Sequence, residues 1–177
     1  VLADEINRTP PKTQAALLES MQERKASIGG TDYPMKSPFF VLATQNPIEQ
    51  EGTYPLPEAQ LDRFLFKIKV DYPTGDEEEL IMRQGTSDAA LNVSKVLHGE
   101  DILRLQHIVR RVPVADHIFQ YAKQITRLSR PGTKEAADFV NKWLTWGAGP
   151  RASMNLILAA KAHAVLNGKH HVSADDV

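Results

Sequence analysis

Val1-Leu2-Ala3-Asp4-Glu5 is a short apolar run that stops at two adjacent carboxylates, and the rest of the chain is placed relative to it. Such a run predicts a buried parallel strand whose carboxyl end opens into a crevice, where open α/β sheets hold their ligands. Two neighbouring acids repel one another. The pair is tolerated as solvated strand-end charge, or where a cation sits between protein and substrate. Mg²⁺ suits the second arrangement, because it takes hard oxygen ligands and is commonly held by one or two carboxylates plus substrate phosphates. These five residues leave both arrangements open.

Working outward, Ile6-Asn7-Arg8-Thr9-Pro10-Pro11 supplies a cap followed by proline, which suits a first helical turn because the missing N–H would be unpaired there. Residues 12–23 are rich in helix formers, with Ala15, Leu18 and Gln22 on one side and Leu17 and Met21 close by, so a helix should lay this stripe on the sheet. A hairpin is expected next, from residues 25–28, a turn at Gly29-Gly30-Thr31-Asp32, and residues 33–36. Phe39-Phe40-Val41-Leu42-Ala43-Thr44 reads as a second fully buried strand, and its uncharged tip, Gln45-Asn46-Pro47, should face the same crevice as the acids. Residues 48–57 form a loop, residues 58–63 a short helical turn, and residues 64–70 a third strand. Beyond Tyr72-Pro73-Thr74-Gly75-Asp76 the pattern changes from strands to helices, so a hinge is expected there. Helices are predicted over residues 76–84, 99–109, 115–128, 136–146 and 151–167, the last closed by Gly168, with another helix start near residues 172–177. The expected organisation is an α/β unit over residues 1–72 and an all-helical unit over residues 73–177.

At 177 residues, with 42% of side chains hydrophobic, the chain is long enough for one good core or two small ones. Its net charge of −1 has acids and bases interspersed, so no basic field argues for nucleic acid and no polybasic segment for an anionic membrane. The absence of cysteine excludes disulfides, thiolate metal sites and cysteine nucleophiles, and accords with a cytoplasmic location. No apolar run approaches the ~20 residues of a membrane span, so no stable membrane insertion is expected. The first residue is not methionine and already lies in a predicted strand, so the chain is expected to continue upstream.

Three further residues carry either chemistry or a plain structural role. Asn46 ends the second apolar run; its amide can bond both water and a phosphate oxygen without adding charge, or it can simply form an Asn-Pro turn. Arg63 is either a helix-end cation that helps the local dipole or a planar guanidinium offered to a phosphate of a neighbouring subunit. Arg151 follows Gly147-Ala148-Gly149-Pro150 and falls in the first turn of a helix, where the macrodipole disfavours a cation. That misplacement keeps a functional role level with a structural one. Trp143 and Trp146, three apart, are expected to pack in the core. The histidines show no spacing that would assemble a metal site.

Taken in order, Leu2-Ala3-Asp4-Glu5-Ile6-Asn7-Arg8, Lys12-Thr13-Gln14-Ala15-Ala16-Leu17-Leu18-Glu19, Ala43-Thr44-Gln45-Asn46-Pro47, the run from Glu49 to Phe64 containing Gly52-Thr53-Tyr54-Pro55-Leu56-Pro57-Glu58-Ala59-Gln60-Leu61-Asp62-Arg63, and Gly149-Pro150-Arg151-Ala152 closely resemble the MoxR family of AAA+ ATPases across essentially the whole chain. The resemblance implies the C-terminal half of a P-loop AAA+ parallel-sheet core followed by an all-α helical lid. It implies ATP as substrate with Mg²⁺, Asp4 as the Walker B magnesium residue with Glu5 beside it, and Glu5 as catalytic base. Asn46 becomes sensor 1, Arg63 the arginine finger and Arg151 sensor 2, with the segment around residues 27–35 as the hairpin before sensor 1. It further implies a hexameric ring and chaperone-like maturation of client proteins, often carrying von Willebrand A domains or metal centres.

One mark of that family is missing. No Gly-x-x-x-x-Gly-Lys-Ser/Thr occurs in the sequence, so the backbone nest and lysine that cradle β- and γ-phosphates are absent from it. The chain by itself is therefore expected to bind ATP weakly and to hydrolyse none measurably. The family topology also implies that the third strand lacks its usual neighbour, leaving backbone groups to water, another chain or rearrangement. Two other readings compete: a nucleotide-independent interaction module with solvated acids, and a relative of the magnesium-chelatase ATPase subunit or of replicative helicases.

Overall fold

The computed structural model of the chain describes residues 1–46, 52–88 and 93–177; Pro47 and Glu49-Gln50-Glu51 of the quoted run lie outside them. The first strand, β1 (Leu2–Ala3), leads through a 3₁₀ turn (Ile6–Arg8) into α1 (Pro11–Glu23), which has proline at its start. The hairpin is β2 (Lys25–Ile28) and β3 (Thr31–Pro34), in antiparallel register with Ile28 opposite Thr31. Its loop is Gly29-Gly30 alone, both at positive φ (60° and 82°), the requirement of a type I′ turn. Thr31 and Asp32, expected in the turn, therefore join the strand. Asp32 accepts from Lys25 Nζ and Ser27 Oγ, both at 2.7 Å; the lysine bond above all, and the serine bond with it, hold its carboxyl below the usual range.

Strand β4 (Leu42–Ala43) pairs with β1 in parallel, Leu2 opposite Leu42 and Ala3 opposite Ala43. Neither strand is fully buried, contrary to the expectation from their apolar runs. Leu2 is 67% exposed, Leu42 52% and Phe40 69%, while Ala43 turns inward toward Ile6, Leu18 and Leu56. The reason is period 2: in a ladder of two strands covered on one side, alternate side chains must face out. Residues 64–70 form no strand, and Phe66, Ile68 and Val70 are exposed. A strand exists only as part of a ladder, and among the described residues none lies alongside this one.

After α2 (Glu58–Leu61) every α-helix lies beyond residue 74: α3 (Gly75–Gly85), α4 (Gly99–Arg111), α5 (Asp116–Leu128), α6 (Asp138–Trp143) and α7 (Pro150–Leu166), with a closing 3₁₀ turn at Ala174–Asp176. Thr74 and Glu77 close a capping box that starts α3, a local signal the sequence carries outright. The second core joins Val112, Ile118, Ala160, Ala164 and Val172. Thr126 Oγ1 and Ser153 Oγ, 3.0 Å apart, add a polar link between α5 and α7. Trp143 and Trp146 are not core residues: they are 74% and 75% exposed. Helix α6 ends at Trp143 and buries Val140 instead, so Trp146 is not on the helix face that the three-residue spacing assumed. The C-terminus is pinned by Asp176, whose buried carboxylate accepts from Lys169 Nζ (2.8 Å), Ser173 N–H (2.8 Å) and Ser173 Oγ (2.7 Å) and lies 2.8 Å from His163 Nδ1. Those bonds, Lys169 foremost, hold its carboxyl well below the usual range. Among the described residues no helix is long and apolar enough to cross a membrane.

Candidate functional site

The parallel pairing of β1 with β4 carries the two strand tips to one place. Thr44 joins them: its N–H donates to Ala3 O (3.0 Å), its carbonyl accepts from Ile6 N–H (3.0 Å), and its Oγ1 accepts from Glu5 N–H (2.9 Å). The same hydroxyl donates to Asp4 Oδ1 at 2.5 Å. Asn46 follows two residues later and is half-buried. The acidic tip and the amide tip thus share one end of the ladder, as the alternation of apolar run and polar tip predicts.

Glu5 has a left-handed backbone (φ 48°, ψ 51°). For a residue with a Cβ this costs of order 1–2 kcal/mol, and it persists only where neighbours hold it. Here the Thr44 hydroxyl and carbonyl fix the N–H groups on either side of the Glu5 carbonyl, and Glu5 O accepts from Arg8 N–H at 2.8 Å. Its carboxylate lies 3.3 Å from Arg8 Nε, with both side chains about two-fifths exposed. The left-handed residue turns the chain after Asp4, and the two carboxylates take different partners, Asp4 the Thr44 hydroxyl and Glu5 the Arg8 guanidinium. Asp4 is exposed, and its Oδ2 carries no hydrogen bond among the described residues. This is a hard-oxygen donor set of the kind Mg²⁺ accepts. Among the described residues no group of three or more His, Cys, Asp or Glu side chains is placed to hold a metal ion. Asp4 and Glu5 would therefore hold Mg²⁺ jointly with phosphate oxygens rather than in a protein cage.

The two guanidiniums sit elsewhere, at the end of α2. Arg63 is half-buried; its Nη1 donates to Leu18 O at 3.3 Å beside a cavity of about 280 Å³ between α1 and α2, lined by Ala15, Glu19, Gln22 and Gln60 among others. Arg151, in the first turn of α7, donates from Nη1 to Asp62 Oδ2 at 2.9 Å. That carboxylate offsets the cation's unfavourable place at a helix N-terminus. The structure therefore brings Arg151 to the residue next to Arg63 and joins Asp4 to the β4 tip, and among the described residues the two groups are linked indirectly, through packing and backbone hydrogen bonds. Leu18, whose carbonyl Arg63 touches, lies in the cluster with Ile6, which follows the acids.

Three residues escaped the reading of the sequence. Thr44 was visible only as part of a strand end. Gln14, 2% exposed, donates from Nε2 to Ile6 O (3.1 Å) and Tyr54 O (2.8 Å), clamping the turn after the acids to the loop before α2. A polar residue inside an apolar helical stripe was the available signal. Asp62 gave none, since its partner lies 89 positions away.

Residues 1–66 match the ATPase family associated with various cellular activities (AAA), and residues 137–177 match the AAA lid domain. A Mycobacterium tuberculosis protein named Chaperone MoxR1 is 48% identical over 178 aligned residues, covering 100% of this chain and 47% of that protein. A crystal structure of a candidate ATPase from Cytophaga hutchinsonii superimposes with a TM-score of 0.89 at 40% identity, over 99% of this chain and 53% of that one. A full-length MCM homolog from Methanopyrus kandleri shares the fold alone, with a TM-score of 0.59 at 17% identity over 99% of this chain and 34% of that one. The chain spans about half the length of the curated relatives it matches, from 47% to 54%. With a parallel-sheet segment bearing paired acids, a helical lid after it and close MoxR relatives along its whole length, this chain belongs to the MoxR family of AAA+ ATPases.

Proposed function

We propose that the intact protein binds and hydrolyses ATP at the crevice beyond the β1 and β4 tips, with residues 1–72 as the C-terminal half of the ATPase core and residues 73–177 as its lid. The observation that carries this is the parallel β1–β4 pairing, in which Thr44 holds the acidic tip two residues before Asn46. Asp4, with Glu5 beside it, holds Mg²⁺, which when bound supplies positive charge to the phosphate oxygens. Glu5, fixed by its strained backbone, draws a proton from the attacking water. Asn46 orients that water, since an amide both donates and accepts. Arg63 reaches the phosphate bound by an adjacent subunit, a role worth roughly 10³–10⁵ in rate in GTPases. Arg151 pairs with phosphate and moves the helices about a hinge at residues 72–76.

The family relationship supports a hexameric ring and a chaperone-like role on client proteins, including ones with von Willebrand A domains, in the cytoplasm. On this reading the 177-residue chain alone, which has no P-loop motif in its sequence, binds ATP weakly and does not turn it over. The test is Glu5→Gln in the intact protein, which should retain ATP binding and abolish hydrolysis. Hydrolysis at the unmutated rate removes Glu5 from the role.

A further inference from the structure

Asp62 is next to Arg63 in the chain and its side chain is bonded to Arg151, the other guanidinium of the proposed site. Its Oδ2 accepts from Arg151 Nη1 at 2.9 Å, and its Oδ1 lies 3.9 Å from where a Cβ on Gly149 would stand. Gly149 is the N-cap of α7, a 17-residue helix, and Pro150 is its first residue. One carboxylate thus lies over the positive end of a long helix and against a guanidinium in its first turn. That is the arrangement in which proteins bind an oxyanion such as phosphate, through exposed helical N–H groups, the dipole and a charged donor.

We propose that Asp62 is an internal phosphate mimic: in this conformation it occupies Arg151, and a nucleotide phosphate must displace it before Arg151 can take up its role. The proposal rests on the assignment of Arg151 to the phosphate and adds a competitor for it. Both side chains are about two-fifths exposed, so the pair is screened and worth only a small factor, which a phosphate bearing more charge overcomes. Release of Arg151 frees the N-terminus of α7 from the short turn that also carries Arg63. Asp62 is therefore a positioning residue that reports lid engagement to the α2 end, not a group that touches the reacting atoms.

The experiment is a double-mutant cycle on the full-length protein, titrated with a fluorescent, non-hydrolysed ATP analogue (mant-AMP-PNP) and Mg²⁺. Asp62→Asn should tighten binding by roughly threefold, because the binding-competent fraction rises when the latch weakens. Asp62→Ala should do the same, which guards against an effect peculiar to asparagine. Arg151→Ala should weaken binding, and adding Asp62→Asn to it should change nothing further. If Arg151→Ala weakens binding but neither Asp62 variant tightens it, the latch is refuted while the phosphate role of Arg151 stands. Tightening by Asp62→Asn that persists without Arg151 refutes the latch as well. If Arg151→Ala leaves affinity unchanged, the underlying assignment fails and the latch falls with it.

Discussion

Replacing Gln14 by leucine removes an amide that is 2% exposed and whose Nε2 donates to two backbone carbonyls, Ile6 O at 3.1 Å and Tyr54 O at 2.8 Å. The two acceptors do not lose equally. Ile6 O also accepts from Thr9 N–H at 3.2 Å and from Thr9 Oγ1 at 2.7 Å, so it stays bonded. The loss falls on Tyr54 O, and a buried carbonyl stripped of its donor costs about 1–3 kcal/mol. Leucine has nearly the volume of glutamine, so cavity and overpacking contribute little. Tyr54 is 46% exposed, which lets water reach part of its surroundings and places the expected loss at about 1–2 kcal/mol. For a chain of this length that lowers Tm by about 2–8 °C. Hydrogen exchange at the Tyr54 amide, now bonded to Asn7 O at 2.6 Å, should accelerate in the same variant, since the two bonds hold one strand of loop. Gln14→Glu should be worse than Gln14→Leu at pH 7, because it turns a carboxylate toward two carbonyl oxygens. Burial beside acceptors raises that carboxyl's pKa, so its deficit relative to the leucine variant should shrink as pH falls and the group protonates. Melting of Gln14→Leu at or above the unmutated temperature, with Tyr54 exchange unchanged, would refute the clamp.

Two further outcomes follow from the helical half. In Gly147→Ala the new Cβ would stand 2.4 Å from Arg130 Cα and 2.6 Å from Ser129 O, so the loop must shift and strain the bonds Arg130 Nε to Ala148 O and Ala148 N–H to Ser129 Oγ. A loss of about 1–3 kcal/mol is expected in thermal melts, and an unchanged Tm would show that the close approach is not maintained. Asp176 contributes a pH-dependent term of definite sign. Its carboxyl is held below the usual 3.8 in the folded chain, so its stabilisation is complete above the unfolded value and fades as pH falls through the folded one. Stability should therefore drop more steeply between about pH 5 and pH 2 in the unmutated chain than in Asp176→Asn, measured by denaturant midpoints; equal slopes would remove Asp176 from that role.

Much of the local structure is legible in the sequence, because its causes are local. Pro10-Pro11 and the helix formers after them start α1, Gly29-Gly30 alone can supply the two positive φ angles of the hairpin, and Thr74 with Glu77 caps α3. The same locality exposes Asp4, Glu5 and Asn46 as polar tips on apolar runs, and the family motifs name them. Burial is another matter. Leu2, Phe40, Leu42, Trp143 and Trp146 are apolar yet exposed, and residues 64–70 have strand composition without a strand, because hydrophobicity states a preference and only neighbours grant it. The bridging hydroxyl of Thr44, the clamp of Gln14 and the pairing of Asp62 with Arg151 were decided by tertiary structure alone. Each joins residues from 8 to 89 positions apart, and no propensity or spacing encodes which distant segments the chain will bring into contact.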